Sequence, residues 1–96
     1  MSAVLSDAEI QQALEGLSGW KKAGNEIERN FQFNNFVQAM DFVNVIAEAA
    51  EALNHHPDIL ISYNKVTLKL VSHDSGGITQ RDIRMARRIN EVTQQA

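Results

Sequence analysis

The three histidines of this chain stand in two short contexts, Asn54-His55-His56-Pro57 and Val71-Ser72-His73-Asp74, each at the end of a regular pattern. Imidazole is the side chain whose unperturbed pKa, about 6.5, lets it both give and take a proton near neutrality. Element ends and loops are also where binding and catalytic groups concentrate. Every copy placed there points to general acid/base chemistry on a small organic molecule, worth about 10²- to 10⁴-fold in rate. Two other readings of the same residues are a metal site and histidines that merely cap or decorate a surface. Adjacent His55 and His56 tend to point apart in an extended chain, and no carboxylate or thiolate completes a spacing such as H-E-x-x-H. No metal is therefore expected. Nucleophilic catalysis has no candidate either, because the chain lacks cysteine and has no serine in a G-x-S-x-G elbow.

The elements that must position these groups follow from periodicity and punctuation. Ser6-Asp7-Ala8-Glu9 reads as an N-cap with acids in the first turn, and Ile10, Leu14 and Leu17 follow at helical spacing, giving a helix over roughly residues 7–16. Gly19 ends it. Trp20-Lys21-Lys22, the Gly24-Asn25 turn and the alternating Ile27 to Phe33 predict a hairpin with Ile27, Phe31 and Phe33 on one face, interrupted by Arg29. Asn34-Asn35 caps the longest periodic segment, Phe36 to Leu53, whose stripe of Phe36, Met40, Val43, Ala47 and Ala50 must lie on a sheet. Pro57 keeps His56 from remaining helical and so helps to end this helix.

Ile59 to Tyr63 and Val66 to Ser72 read as strands joined by Asn64-Lys65, with Asn64 taking the positive φ of a tight turn. Val66, Leu68 and Leu70 point inward, Thr67 and Lys69 outward. Counting outward from that turn pairs Tyr63 with Val66, Ile61 with Leu68, Ile59 with Leu70 and Pro57 with Ser72. His73 then lies opposite His56. After the Ser75-Gly76-Gly77 turn, Thr79 is an N-cap with Asp82 three residues on, a box-like start for a helix from Ile83 to Val92. His55 and His56 leave a helix C-terminus, where the macrodipole favours a protonated ring, and Glu51 stands one turn before His55 to orient or pair with it.

The order is α-β-β-α-β-β-α, an α+β fold in which a four-stranded antiparallel sheet carries three helices on one face. An open sheet face and free edges in so small a chain favour a dimer or tetramer. With 96 residues, 44% of them hydrophobic, the chain makes a single domain over 1–96. The net charge of −3 argues against a nucleic-acid binder, and Arg81, Arg84, Arg87 and Arg88 read as a solvated helix face. The absence of cysteine excludes a disulfide framework. Met1 to Ile10 carries acids and no apolar run, so no signal peptide, no membrane association and a cytoplasmic location are expected.

Taken together, Glu51, Asn54-His55-His56-Pro57, Tyr63, Val66, Ser72-His73-Asp74, Gly77, Thr79 and Asp82 resemble the hallmark of the pterin-4a-carbinolamine dehydratases. The resemblance is strong over about residues 49–90 and weaker over most of the remaining chain. It implies an oligomeric enzyme that dehydrates 4a-hydroxytetrahydropterin to the quinonoid dihydropterin and so serves aromatic amino-acid hydroxylases, the pterin being substrate and no further cofactor needed. It also implies that His55, His56 and His73 form the acid/base set. Asn54, Pro57, Val71, Ser72 and Asp74 would shape the pterin pocket, with Glu51 and Asp82 as supporting carboxylates. Some relatives carry Asp at the position of Asn54 and an aromatic residue at that of Ile59. Animal relatives also steady the dimer of a homeodomain transcription factor, which makes a protein-binding module the alternative function.

Overall fold

A computed structural model describes residues 3–94. Its elements are α1 (Asp7–Glu15), β1 (Lys21–Ala23), β2 (Glu26–Gln32), α2 (Phe36–Leu53), β3 (Asp58–Ser62), β4 (Lys65–Leu70) and α3 (Gln80–Gln94). The expected α+β order is observed. All pairings are antiparallel and the strand order is β1-β2-β4-β3, so the two hairpins join through their second strands. Among the described residues no helix is long and apolar enough to cross a membrane.

Local chemistry explains the boundaries. Ser6 accepts the Glu9 N–H at 3.1 Å while the Glu9 carboxylate accepts the Ser6 N–H at 2.8 Å, a reciprocal box that satisfies two donors at the start of α1. Asn35 caps α2 by accepting the Gln38 N–H at 2.9 Å. Helix α2 stops at Asn54, three residues before the proline read as its terminator. Asn54 is left-handed, with φ 52° and ψ 42°. The His55 N–H reaches the Ala50 carbonyl and the Asn54 N–H that of Glu51, the two bonds of a Schellman motif.

The core lies between the sheet and α2 and α3. Ile27, Val66, Leu68 and Leu70 are fully buried from the sheet side, as the alternation predicts, and Ile46, Ile83, Met85 and Ile89 close over them. The face of α2 differs from the expected one. Its buried residues are Ala39, Phe42, Ile46, Ala49 and Ala50, a stripe rotated by about a quarter turn at 3.6 residues per turn. Phe36 and Ala47 are exposed instead. Both stripes have helical spacing because α2 is apolar over much of its circumference. The one chosen brings Phe42 against Phe31 and Phe33, ring centroids at 4.6 and 5.0 Å.

Arg29 does sit on the inward face of β2, and the fold accommodates it. Its guanidinium lies over the Phe31 ring at 4.5 Å and donates to Asn90 Oδ1, which also accepts the Trp20 indole N–H at 2.8 Å. Burial pulls the Arg29 pKa below its usual value. Gly19 is required beside it: its φ is 84°, and an added Cβ would stand 2.5 Å from Arg29 Nε.

The β3–β4 register is displaced from the expected one. Ser62 pairs with Lys65, Ile61 with Val66 and Ile59 with Leu68, so the two-residue turn is Tyr63-Asn64 rather than Asn64-Lys65. Tyr63, with φ 52°, takes the left-handed conformation. Asn64 is held by Phe33, the residue that follows β2, donating its side-chain amide to the Phe33 carbonyl while its backbone carbonyl accepts the Phe33 N–H, both at 2.8 Å. Carried past the end of the ladder, this register sets His55 level with Ser72, and His73 level with Asn54 rather than His56.

Candidate active site

The last turn of α2, the end of β4 and the first turn of α3 meet around one carboxylate. Asp82 is fully buried. Its Oδ1 lies 2.5 Å from His55 Nε2, and its Oδ2 accepts the Ser72 hydroxyl and the Thr79 N–H, each at 2.9 Å. A buried carboxylate is tolerable only when paired or well hydrogen-bonded, and three donors from three parts of the chain meet that need. An ionised carboxylate only accepts, so against it His55 Nε2 is the donor and Nδ1 is left out of that bond. Nδ1 has no hydrogen-bond partner among the described residues, where the one buried side-chain atom without a partner is Arg81 Nε. The His55 side chain is 11% exposed.

His56 points elsewhere. Its Nε2 lies 2.5 Å from Glu51 Oε2, and both side chains are exposed. The expected service of Glu51 to His55 thus goes to His56, while Asp82 holds His55. The rings of His55 and His56 diverge as adjacent residues do, one onto a buried acid and the other onto a surface acid. Among the described residues no group of three or more histidine or carboxylate side chains is arranged to hold a metal ion.

His73 is exposed and begins the turn that leads to α3. Ser72, directly before it, is held to Asp82 and pairs with Gly77 across the turn, so His73 follows a residue fixed to the same carboxylate as His55. Asp74 binds Arg81 at 2.5 Å, and Arg81 also donates to Ser75 at 3.2 Å. The hydrogen bond from Arg81 holds the Asp74 carboxyl below its usual pKa, and the same pair raises that of Arg81.

Of the residues singled out in the sequence, His55, Ser72 and Asp82 converge directly. Asn54 shapes the helix exit, Val71 is buried under the turn and Pro57 is half-buried before β3. Thr79 stands in the sequence as a helix cap and a hallmark position without an assigned site role, and Arg81 as part of a surface. The signal for Thr79 lay in its spacing to Asp82, that for Arg81 in its distance of seven residues from Asp74. A groove of about 470 Å³, lined by Phe33, Gln38, Asp41, Phe42, Val45 and Val92, lies elsewhere. Its nearest α2 residue, Val45, is roughly 13 Å along the helix from Asn54 at 1.5 Å per residue, so it is separate from the histidines.

Comparison with known proteins gives a consistent result. The family model described as pterin 4 alpha carbinolamine dehydratase matches residues 3–92. A relative from Koribacter versatilis (strain Ellin345), with the provisional name pterin-4-alpha-carbinolamine dehydratase, is 59% identical over 96% of this chain and 98% of its own. A crystal structure described as a transcriptional coactivator/pterin dehydratase from Brucella melitensis superposes with a TM-score of 0.87 at 38% identity, covering 93% of this chain and 97% of that one. A pterin dehydratase-like protein identified as a RuBisCO assembly factor in the alpha-carboxysome shares the fold, with a TM-score of 0.64 at 21% identity over 76% of this chain and 87% of its own.

Proposed function

The chain belongs to the pterin 4 alpha carbinolamine dehydratase family, and on that premise we propose that it is a hydro-lyase removing water from a 4a-hydroxytetrahydropterin. The observation that supports this most is the His55–Asp82 pair, a ring held through one nitrogen on a fully buried acid. In the reaction the C4a hydroxyl takes a proton and leaves as water, the N5 lone pair forms the new C=N bond, and the N5 proton passes to a base. The product is the quinonoid dihydropterin. One proton is given and one taken, which two positioned imidazoles can do.

His55 and His73 are the proton-transfer pair in this reading, with His56 as a further donor or positioning group. Asn54, Pro57 and Asp74 line the pocket, Val71 and Ser72 are buried behind it and shape it from there, and Glu51 and Asp82 support the rings. No cofactor beyond the substrate is required. The setting is the cytoplasm, recycling the pterin of an aromatic amino-acid hydroxylase, with the protein acting as a dimer or tetramer.

The test is dehydration of freshly generated 4a-hydroxytetrahydropterin by wild type, His55→Ala and His73→Ala, with sizing of each. Each substitution is expected to lower kcat by about 10²-fold or more without changing the mass in solution. Wild-type protein that leaves the spontaneous rate unchanged would sink the proposal. A second reading, a module that stabilises a partner's dimer, draws on the exposed Phe36, Val37 and Val45 of α2 and on the coactivator half of the Brucella protein's description. It predicts a partner whose binding survives loss of either histidine.

A further inference from the structure

The direction of each hydrogen bond behind His55 can be worked out from the number of hydrogens available. Thr79 has one hydroxyl hydrogen. Its Oγ1 accepts the Arg81 N–H at 3.2 Å and lies 2.8 Å from Ser72 Oγ. Ser72 Oγ lies in turn 2.9 Å from Asp82 Oδ2. The carboxylate can only accept, so the Ser72 hydrogen goes to Asp82. Between the two hydroxyls the donor must then be Thr79. The result is a one-way chain, Thr79 O–H to Ser72 Oγ and Ser72 O–H to Asp82 Oδ2, with the His55 Nε2–H arriving on Oδ1. Thr79, Ser72 and Asp82 are all sealed from solvent, Ser72 at 1% exposure and the other two at none, so no water substitutes for a missing donor.

We propose that Thr79 is a positioning residue, which acts through Ser72 and Asp82 to hold His55 as the Nε2–H form and to present Nδ1 to the substrate. Thr79 contributes twice to the same carboxylate, once through its backbone N–H to Oδ2 and once through its hydroxyl by way of Ser72. Hydrogen bonds in series polarise one another, and in a site closed to water the loss of one leaves its neighbour unsatisfied. Without the Thr79 hydroxyl, Ser72 loses its donor and its own hydrogen is free to turn from Asp82 towards another acceptor. The grip of Asp82 on Nε2 loosens, and the ring gains access to the other tautomer and to other orientations. In a histidine-carboxylate pair the wrong tautomer is costly to catalysis. This inference rests on the proposed dehydration for its kinetic consequences, and on geometry alone for the tautomer.

The test combines nitrogen-15 histidine spectra of the whole protein, which has three imidazoles to assign, with kcat and KM for dehydration. Wild type is expected to show His55 protonated on Nε2 with Nδ1 as the titrating nitrogen. Thr79→Val should populate the second tautomer and lower kcat about tenfold with KM nearly unchanged. Thr79→Ser, which keeps the hydroxyl, should return both readouts most of the way. Because Thr79 also caps α3, Ser72→Ala serves as the second variant: it breaks the same chain and leaves the cap in place, and it should reproduce the tautomer change. The double variant should then be no slower than either single one, as for residues acting in series. A wild-type ring protonated on Nδ1 alone overturns the proposal. So does a Thr79→Val protein that melts earlier but keeps the wild-type spectrum and kcat. If wild type shows the expected tautomer but no turnover, the dehydratase reading fails while the positioning role stands.

Discussion

Asp82 is the residue on which the candidate site depends most, because it is at once the third residue of α3, the anchor of β4 through Ser72 and the partner of His55. Asp82→Ala strands three donors in a region closed to water. Each unmade buried hydrogen bond costs about 1–3 kcal/mol, so urea unfolding should show a loss on the order of 3 kcal/mol or more, together with loss of turnover. Asp74 is a contrasting case. It is exposed, its bond to Arg81 is on the surface, and such pairs are screened by solvent. Its folded-state pKa is depressed, so the pair stabilises the fold above the unfolded carboxylate value, about 3.9, and that contribution disappears as pH falls through the folded value. Melting temperatures of wild type and Asp74→Asn should therefore differ at pH 7, with wild type higher, and converge towards pH 3. A gap that persists or widens in acid would mean that the carboxylate of Asp74 is not what Arg81 holds.

At the scale of elements, the site exists because α2 stops where it does. Asn54 enters the left-handed region, and its two bonds to the last turn swing His55 inward to Asp82 and His56 outward to Glu51. Asn54→Ala forces a Cβ into that region without a polar side chain to relieve it and should cost about 1–2 kcal/mol, whereas Asn54→Gly should be close to neutral in a denaturant titration. Turnover of the glycine variant then separates two roles for Asn54. Retained kcat and KM mean that its work is the cap, while a raised KM means that its amide also meets the substrate. The elements themselves were legible from local signals: the boxes at Ser6 and Thr79, the period of α2 and the alternation of β4 each have one physical cause within a few residues. What was not legible depended on partners far away in the chain. The turn residue of the β3–β4 hairpin was decided by Asn64 bonding Phe33, and the buried face of α2 by Phe42 meeting Phe31 and Phe33. The pairing of Glu51 with His56 followed from the helix stop. The grouping of His55, Ser72 and Asp82 was visible in the sequence as three separate motifs, but the bonds joining them were not.

At the scale of the whole molecule, most of the exposed large apolar residues lie on two elements, Phe36, Val37 and Val45 on α2 and Leu60, Ile61 and Tyr63 at β3 and its turn, with Val4 apart from them. Strand β3 has a neighbour on one side only, so its outer edge offers unpaired backbone groups beside those side chains, the combination that proteins otherwise cover or charge. The proposed dimer or tetramer would cover such residues with further copies of the chain, and it predicts a mass in solution of two or four times 10.7 kDa by light scattering on a sizing column. Ile61→Lys places a charge at the β3 edge and Val37→Asp one on α2. If one edge makes a dimer and the other surface joins dimers, one variant should stop assembly at two copies and the other should reduce it further. Wild type running at a single chain's mass at micromolar concentration would rule out the assembly. It would leave the candidate site intact, because His55, Ser72, Thr79 and Asp82 all come from the same chain. Turnover measured on the smaller forms therefore decides whether assembly serves the chemistry or only covers apolar surface: unchanged kcat in a monomeric variant assigns it to the latter.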